Sequence, residues 1–205
     1  MADIATLIAE IQEQEVLDAV REALEAGTEP VELLEQLRGG MGVVGERFEA
    51  KEYFLPDLIM SAEIFKEAVA LIEPRMTADC SSSRGTVVIG TVKGDIHDIG
   101  KNIVATMLRC NGFDVLDVGV DQPAAAFVDK ARESGAKLVG LSGLLTVAFD
   151  SMKETIEAFE AEGLRDSVKI VIGGGPVNET VVKYTGADGW GRDPAEAVRL
   201  AEQYA

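Results

Sequence analysis

The hydrophobic pattern of this chain changes its period near residue 85, and this change limits the folds open to it. Four short runs rich in β-branched residues follow: TVVIGTV (86–92), DVLDVGV (114–120), KLVGLSG (137–143) and KIVIGGG (169–175). Helix-length segments separate these runs, and ADGW near Ala187 is a candidate fifth strand. Alternating strands and helices favour a doubly wound parallel sheet with helices on both faces. We therefore predict a C-terminal five-stranded α/β domain of the flavodoxin-like, Rossmann type.

The first 75 residues carry helical spacing throughout. In QEVLDAVREALEAG, apolar residues recur every three or four positions and a glycine supplies the stop. Short helices of this kind need partners to be stable, so they should form a small bundle. The Ser-rich stretch RMTADCSSSRG has no apolar period and is typical of a linker. We predict three regions: an α-helical cap domain over 1–76, a linker over 77–85 and the α/β domain over 86–205.

The composition excludes several classes of partner and location. The chain has 205 residues and a formal net charge of −17, which disfavours nucleic acid and anionic membrane surfaces. Its two cysteines, Cys80 and Cys110, show no metal-ligand spacing and make no disulfide framework. The stretch MADIATLIAEIQEQE lacks the features of a secretory signal, and no apolar run approaches the length that spans a bilayer. We expect a cytoplasmic protein.

Three unusual loops follow the first, third and fourth predicted strands. They read KGDIHDIG, SGLLT and GGGP, and they begin at residues 93, 142 and 173. Doubly wound sheets bind ligands beyond the carboxyl ends of their strands, where the strand order reverses. In a 2-1-3-4-5 sheet this point lies between the first and third strands. We therefore predict that the three loops converge on one site.

The first of these loops contains His97, the only histidine in the chain. A lone histidine is more often a surface or satisfied residue, but this one follows Asp95 by two positions. A carboxylate that fixes an imidazole tautomer is a common partner of a metal-bound histidine. A single histidine excludes a multi-histidine zinc site, so a metal would bring its other ligands, as in a macrocycle.

The other two loops carry weaker signals when each is taken alone. Ser142 by itself is more typical of a helix cap or a Ser turn. Gly173–Gly175 could form a tight turn, although glycines also let a backbone approach a bulky ligand closely. Neither the dinucleotide fingerprint nor a Walker A loop is present.

Taken together, Asp95-x-His97-x-x-Gly100, Ser142-x-Leu144 and Gly173-Gly174 resemble the cobalamin-binding signature of methionine synthase and its relatives. The stretch RFEAKEYFLPDLIMSAEIFKEAVALIEP is similar to the helical cap of the same family. Size and domain order are similar to the stand-alone corrinoid proteins of methanol, methylamine and methoxyarene methyltransferase systems.

The resemblance implies a role for each matching residue. His97 would be the lower axial ligand of cobalt, with the corrinoid's own base displaced (base-off, histidine-on), and Asp95 and Ser142 would form a relay behind it. Loss of the methyl group would release His97, so ligation would couple proton uptake to methyl transfer. The full cofactor-binding set implied is Asp95, Ile96, His97, Asp98, Ile99, Gly100, Ser142, Leu144, Thr146, Gly173, Gly174 and Gly175, with Phe48 and Leu55 of the cap shielding the upper face. Without the resemblance, Phe48 and Leu55 would be assigned to the bundle core.

The function implied is that of a methyl carrier that is not catalytic alone. A substrate:corrinoid methyltransferase would load methylcobalamin or a related corrinoid, and a second methyltransferase would unload it, with tetrahydrofolate as one candidate acceptor. A reductive activase is a further implied partner. The cap must then open, and the linker is the obvious hinge. Methoxyarenes, methylamines, methanol and betaines all remain open as donors.

Three other functions are weighed against the carrier. An adenosylcobalamin-dependent mutase subunit could share the Asp-x-His pair, but the cap and the absence of a catalytic barrel disfavour it. A cobalamin-responsive regulator would need a basic helix-turn-helix before the cap. A flavodoxin-like interaction domain would make the three-loop pattern a coincidence. Colour separates the last case, because a corrinoid protein is red to orange.

Overall fold

The computed structural model of the chain describes residues 3–75 and 83–204. The polypeptide divides into two compact units, one of them Met1–Ser82 with Cys110–Gly112, the other Ser83–Arg109 with Phe113–Ala205. Residues 76–82, which hold most of the predicted linker and Cys80, lie outside the described part of the chain. Within that part, no helix is long and apolar enough to cross a membrane.

Over residues 3–75 the N-terminal unit contains helices and no strand, as the periodicity predicted. Its helices in this range are α1 (Ile4–Ala9), α2 (Glu13–Glu25), α3 (Pro30–Glu49) and α4 (Leu55–Ile72), and a 3-10 turn follows at Glu73–Arg75. Pro30 occupies the first position of α3, where its missing N–H costs nothing and its fixed φ suits a helix. The apolar stripe of α2, from Val16 to Leu24, is buried. The predicted helical bundle is therefore confirmed.

Arg47, in the last turn of α3, fixes the turn that leads into α4. Its guanidinium donates to the carbonyl oxygen of Ala9 at 2.9 Å, to Tyr53 Oη at 2.7 Å and to Glu10 Oε1 at 2.7 Å. Tyr53 Oη also donates to the carbonyl oxygen of Ala9 at 2.7 Å. These contacts hold the α3–α4 turn, which carries Phe48 and Leu55 at its edges, against the end of α1.

A five-stranded parallel sheet forms the centre of the C-terminal unit. Its strands are β1 (Thr86–Thr91), β2 (Asp114–Asp117), β3 (Leu138–Ser142), β4 (Lys169–Gly173) and β5 (Gly189–Gly191). They are arranged in the order β2-β1-β3-β4-β5, the flavodoxin-like order that the sequence predicted. The helices are α5 (Ile99–Cys110), α6 (Ala124–Ser134), α7 (Ala148–Ala161), α8 (Glu179–Thr185) and α9 (Pro194–Tyr204).

The register of the sheet places the loops at one level. Thr91 of β1 pairs with Ser142 of β3, and Ser142 pairs with Gly173 of β4. The three strands therefore end side by side, and β1 and β3 are neighbours at the point where the strand order reverses. Their central residues are buried, with Val88, Val139 and Ile170 fully inaccessible. A core covered on both faces explains the continuous apolar runs.

One helix contact of the N-terminal unit can be tested with a neighbouring control. A Cβ added at Gly40 would lie 2.1 Å from Ile8 Cγ2 and 2.5 Å from the carbonyl oxygen of Ala5, so α1 and α3 must separate. We predict that Gly40→Ala lowers the free energy of unfolding by about 1–3 kcal/mol. At the exposed Gly39 nothing lies within 4 Å of the added Cβ. Gly39→Ala should therefore stabilise α3 by about 0.5–1 kcal/mol.

Urea unfolding followed by circular dichroism measures both substitutions in the full chain. Equal effects of the two variants would contradict the close approach of α1 and α3.

Candidate functional site

The Asp95 carboxylate joins the loops that follow β1 and β3. Its side chain is buried, and its Oδ1 accepts a hydrogen bond from the His97 backbone N–H at 2.9 Å. Its Oδ2 accepts from the backbone N–H groups of Leu144 at 2.6 Å and Leu145 at 2.9 Å. One carboxylate thus collects three backbone donors from two loops. The strand register brings these loops together, because β1 and β3 end at the same level.

These donors decide the charge of Asp95. Burial by itself raises the pKa of the carboxyl, because it disfavours the ionised form. The hydrogen bonds from the Leu145 and His97 backbones, the His97 ring and the Leu144 backbone outweigh burial and lower the pKa from 3.8 to about 2. Asp95 is therefore a carboxylate at neutral pH.

The carboxylate sets the tautomer of His97. His97 Nδ1 lies 2.7 Å from Asp95 Oδ1, and an ionised carboxylate can only accept a hydrogen bond. In the neutral ring the proton is therefore on Nδ1, and Nε2 carries the lone pair. The Thr91 hydroxyl donates to the His97 carbonyl oxygen at 3.0 Å, so the backbone is held on both sides of the ring.

The His97 lone pair is open to a ligand. The side chain is 48% exposed, and no hydrogen bond to Nε2 comes from any residue of the described ranges 3–75 and 83–204. Within those ranges, no group of three or more His, Cys, Asp or Glu side chains is placed to hold a metal ion. A metal bound at Nε2 must therefore bring its remaining ligands with it, as the metal of a macrocycle does.

Apolar side chains flank His97 without being buried. They lie in the loops after β1 and β3 and at the start of α5, and their exposed fractions run from 42% to 74%: Ile96, Ile99, Leu144, Leu145 and Val147. Exposed apolar clusters of this kind mark binding sites in soluble proteins. This apolar rim fits a broad, largely apolar ligand seated on the imidazole.

The glycines after β4 allow two loops to touch. Gly174 has φ +138, and an added Cβ would lie 1.9 Å from the carbonyl oxygen of Gly143. The Gly143 N–H donates to the carbonyl oxygen of Gly173 at 3.0 Å. A Cβ at Gly175 would lie 3.2 Å from Leu144 Cδ1. The close approach of the Gly143 backbone thus requires a glycine at position 174. This packing requirement is separate from the predicted ligand contact.

Other predicted residues have simpler surroundings. An added Cβ at Gly100 would meet nothing within 4 Å, so there is open space beside the first turn of α5 at this residue. Asp98 Oδ2 accepts a hydrogen bond from Asn102 Nδ2 at 3.2 Å, and Thr146 is exposed in the loop before α7. Phe48 and Leu55 belong to the helical unit, where Phe48 is half-buried and Leu55 is exposed. Their shielding role stays a prediction.

Ser142 does not share a hydrogen bond with Asp95 among the described residues. Its carbonyl oxygen accepts from the Val92 N–H at 3.0 Å, which joins β3 to the loop after β1. Asp95 Oδ2 accepts instead from the N–H groups of Leu144 and Leu145. The relay role of Ser142 therefore stays a prediction, while the two backbone donors are partners that the sequence did not indicate.

Comparison with known proteins adds independent information on this arrangement. A family described as a B12 binding domain matches residues 85–199, and a second family of the same description matches residues 1–73. A dimethylamine corrinoid protein of Methanosarcina acetivorans is 39% identical over 211 residues, covering 99% of each chain. A corrinoid protein of Desulfitobacterium hafniense is 45% identical over 167 residues, covering 80% of this chain and 77% of the relative.

Two solved structures share the fold over nearly the whole chain. A cobalamin-binding protein from Desulfitobacterium hafniense superposes with a TM-score of 0.84 at 40% identity, covering 98% of this chain and 96% of the other. A chain of the methanol:cobalamin methyltransferase complex from Methanosarcina barkeri also gives a TM-score of 0.84, at 32% identity, covering 98% and 77%.

The depressed pKa of Asp95 predicts a pH-dependent loss of stability in Asp95→Asn. A fall in pKa from 3.8 to about 2 on folding contributes about 2 kcal/mol. This contribution is complete well above pH 4 and is lost as the pH falls through about 2. The variant should therefore be less stable than the wild type by about 2 kcal/mol or more at pH 7. The gap should narrow at pH 3.

Urea unfolding of the corrinoid-free protein at both pH values measures this gap. Asp129→Asn, which removes the same charge from an exposed position of α6, serves as the control and should differ little from the wild type. A deficit of Asp95→Asn that widens on acidification would contradict the assignment.

Proposed function

We propose a methyl-carrier function for this chain, which belongs to the B12-binding family of corrinoid proteins. It would carry a methyl group on cobalt from one methyltransferase to another. One observation carries this proposal: Asp95 fixes the tautomer of a lone histidine whose Nε2 stands open inside an apolar rim. Membership of the family and the fold follow from the comparisons. The ligand role of His97 and the methyl group are our inference.

The residues at the edge of the sheet fit a corrinoid. His97 Nε2 would supply the protein's donor to the cobalt, and the macrocycle would bring the other ligands. Ile96, Ile99 and Val147 would contact the apolar parts of the macrocycle. We propose that the nucleotide tail, displaced from the metal, runs past Gly100 and Thr146. The open space at Gly100 supports this path.

A bound corrinoid supplies the transfer chemistry, since it takes up and gives up a methyl group at its cobalt. The protein controls what happens at His97. While Nε2 donates its lone pair to a metal, Asp95 holds the proton on Nδ1. An Nε2 without a metal would be able to take a proton from solvent, and the resulting positive charge would face the ionised carboxylate of Asp95. Proton uptake at Nε2 would thereby be coupled to the ligation of the imidazole.

The relatives support methyltransferases as partners. One is a dimethylamine corrinoid protein, and another belongs to a methanol:cobalamin methyltransferase complex. We propose that this chain receives methyl groups from a substrate-specific methyltransferase, with methylamines, methanol, methoxyarenes and betaines as candidate donors. A second methyltransferase would pass the group on, tetrahydrofolate being one acceptor, and a reductive activase would restore the cofactor in the cytoplasm. The match over 99% of the chain to a dimethylamine corrinoid protein supports a carrier over a mutase subunit or a regulator.

We retain Phe48 and Leu55 as shields of the methyl-bearing face. Leu55 is the first residue of α4, and its side chain is exposed. An exposed leucine at this position does not help the protein to fold. The α3–α4 turn that presents both residues is held by the Arg47 contacts. A rigid turn suits a shield, because the apolar side chains keep their positions.

Reconstitution with methylcobalamin tests the proposal. We predict that the wild-type protein binds one equivalent and shows a base-off, histidine-ligated absorption spectrum. His97→Ala should lose this spectrum and bind more weakly, because it lacks the donor atom. Cobinamide, which has no nucleotide base, is the control: a spectral change that depends on His97 cannot then come from the base of the cofactor.

Two outcomes would contradict the proposal. The first is a wild-type protein that retains no corrinoid. The second is a His97→Ala variant whose spectrum matches that of the wild type with both corrinoids.

A further inference from the structure

We infer that Asp121 is a positioning residue for His97, holding the loop between β1 and α5 in its ligand-ready conformation before any corrinoid binds. The functional meaning of this inference rests on the proposed role of His97. The contacts behind it come from the loop between β2 and α6 and involve backbone groups of Gly94 and Asp95, not the Asp95 carboxylate.

Asp121 grips the loop through two hydrogen bonds in opposite directions. Its Oδ1 accepts from the backbone N–H of Gly94 at 2.7 Å. Its own backbone N–H donates to the carbonyl oxygen of Asp95 at 3.0 Å. We call these two bonds the Asp121 clasp. They fix the peptide groups on both sides of the Gly94–Asp95 bond, two to three residues before His97.

The loop that carries Asp121 is itself anchored to the sheet. The Val118 N–H donates to the carbonyl oxygen of Ile89 at 2.9 Å. Beyond Val118, the Thr91 backbone N–H donates to the carbonyl oxygen of Gly119 at 2.9 Å, and the Thr91 carbonyl oxygen accepts from the Gln122 N–H at 3.0 Å. Pairing with the end of β1 thus continues past the last residue of β2. Asp121 lies between two of these anchors, so the clasp is attached to a rigid support.

The backbone at Asp121 restricts which residues can form the clasp. Its φ is +52, in the left-handed region. Among residues with side chains, Asp and Asn tolerate this region best, and Gly adopts it freely. Only Asp and Asn add an oxygen acceptor at the required distance. The position therefore combines an unusual conformation with a side-chain acceptor.

The clasp acts at a different place from the other contacts of the loop. The Asp95 carboxylate orients the His97 ring and Thr91 holds the His97 carbonyl oxygen. Asp121 instead fixes the backbone of Gly94 and Asp95, in the loop after β1. Without the clasp, the loop would populate other conformations. The apparent affinity for a corrinoid then falls by the fraction of molecules that keep the competent one.

Four variants separate the acceptor from the backbone conformation. Asp121→Asn keeps both the acceptor and the left-handed backbone. Asp121→Gly keeps the backbone and loses the acceptor, and Asp121→Ala loses the acceptor without the flexibility of glycine. Asp129→Ala removes an exposed carboxylate from α6 and controls for the change in net charge.

The first measurement uses the corrinoid-free protein. Amide hydrogen exchange should show the Gly94 N–H protected in the wild type, Asp121→Asn and Asp129→Ala, and faster in Asp121→Gly and Asp121→Ala. The ring signals of His97 are unambiguous because the chain has one histidine. They should shift or broaden in the same two variants. Unchanged exchange and ring signals in Asp121→Gly would overturn the clasp whatever the protein binds.

The second measurement is corrinoid binding. We expect Asp121→Gly and Asp121→Ala to bind methylcobalamin about fivefold more weakly and to lose part of the histidine-ligated spectrum. Asp121→Asn should restore both to within about twofold, since the acceptor is retained. Wild-type binding by Asp121→Gly, or an equal loss in Asp121→Asn, would overturn the inference while leaving the role of His97 intact. If the wild type binds no corrinoid, the proposed function fails, and the exchange data still decide the clasp.

Discussion

The rest of the site depends on one buried carboxylate. Burying an ionised carboxyl is costly unless its oxygens are fully hydrogen-bonded. Asp95 meets this requirement with the N–H groups of His97, Leu144 and Leu145 and with the His97 ring. The requirement can be met only where the loops after β1 and β3 lie side by side. The parallel register of Thr91 and Ser142 provides that arrangement. The strand order thus makes these contacts possible, and the contacts in turn fix the loop conformation and the imidazole tautomer.

This arrangement divides the work between the protein and its cofactor. The described part of the chain offers no cluster of metal-ligating side chains, and under our proposal it would contribute a single nitrogen, that of His97, whose tautomer Asp95 defines. A corrinoid brings the remaining ligands and the group-transfer chemistry. Leaving Ile96, Ile99 and Val147 exposed has no folding advantage, which is expected where apolar surface is kept for a ligand. Exposing these apolar side chains gives up stability that burial would provide. The backbone of the loop that carries Ile96 is nevertheless stabilised by hydrogen bonds at Gly94, Asp95 and His97.

Much of this could be predicted from the sequence, because hydrophobic period and loop position survive in residue type. The change of hydrophobic period predicted a helical unit followed by an α/β unit. The alternation of strands and helices predicted the flavodoxin-like sheet, in which Asp95 lies near Leu144. Backbone donors were not predictable, since the N–H groups of Leu144 and Leu145 leave no signature in the residues that carry them. Asp121 was missed because its left-handed backbone appears only in three dimensions. The sequence leaves both a tight turn and a ligand approach open for Gly174, and only the structure reveals that the carbonyl oxygen of Gly143 excludes a side chain there.

The central claim is that the axial nitrogen comes from His97. Electron paramagnetic resonance of the cobalt(II) corrinoid bound to uniformly nitrogen-15-labelled protein tests it most directly. The unpaired electron of low-spin cobalt(II) couples to the axial nitrogen, and the corrinoid itself is left unlabelled. Our account predicts that each resolved cobalt line splits into two, because the donor would be a nitrogen-15 atom of the protein, and the chain's one imidazole is that of His97. Splitting into three, from the unlabelled base of the cofactor, or no nitrogen splitting at all, would contradict it.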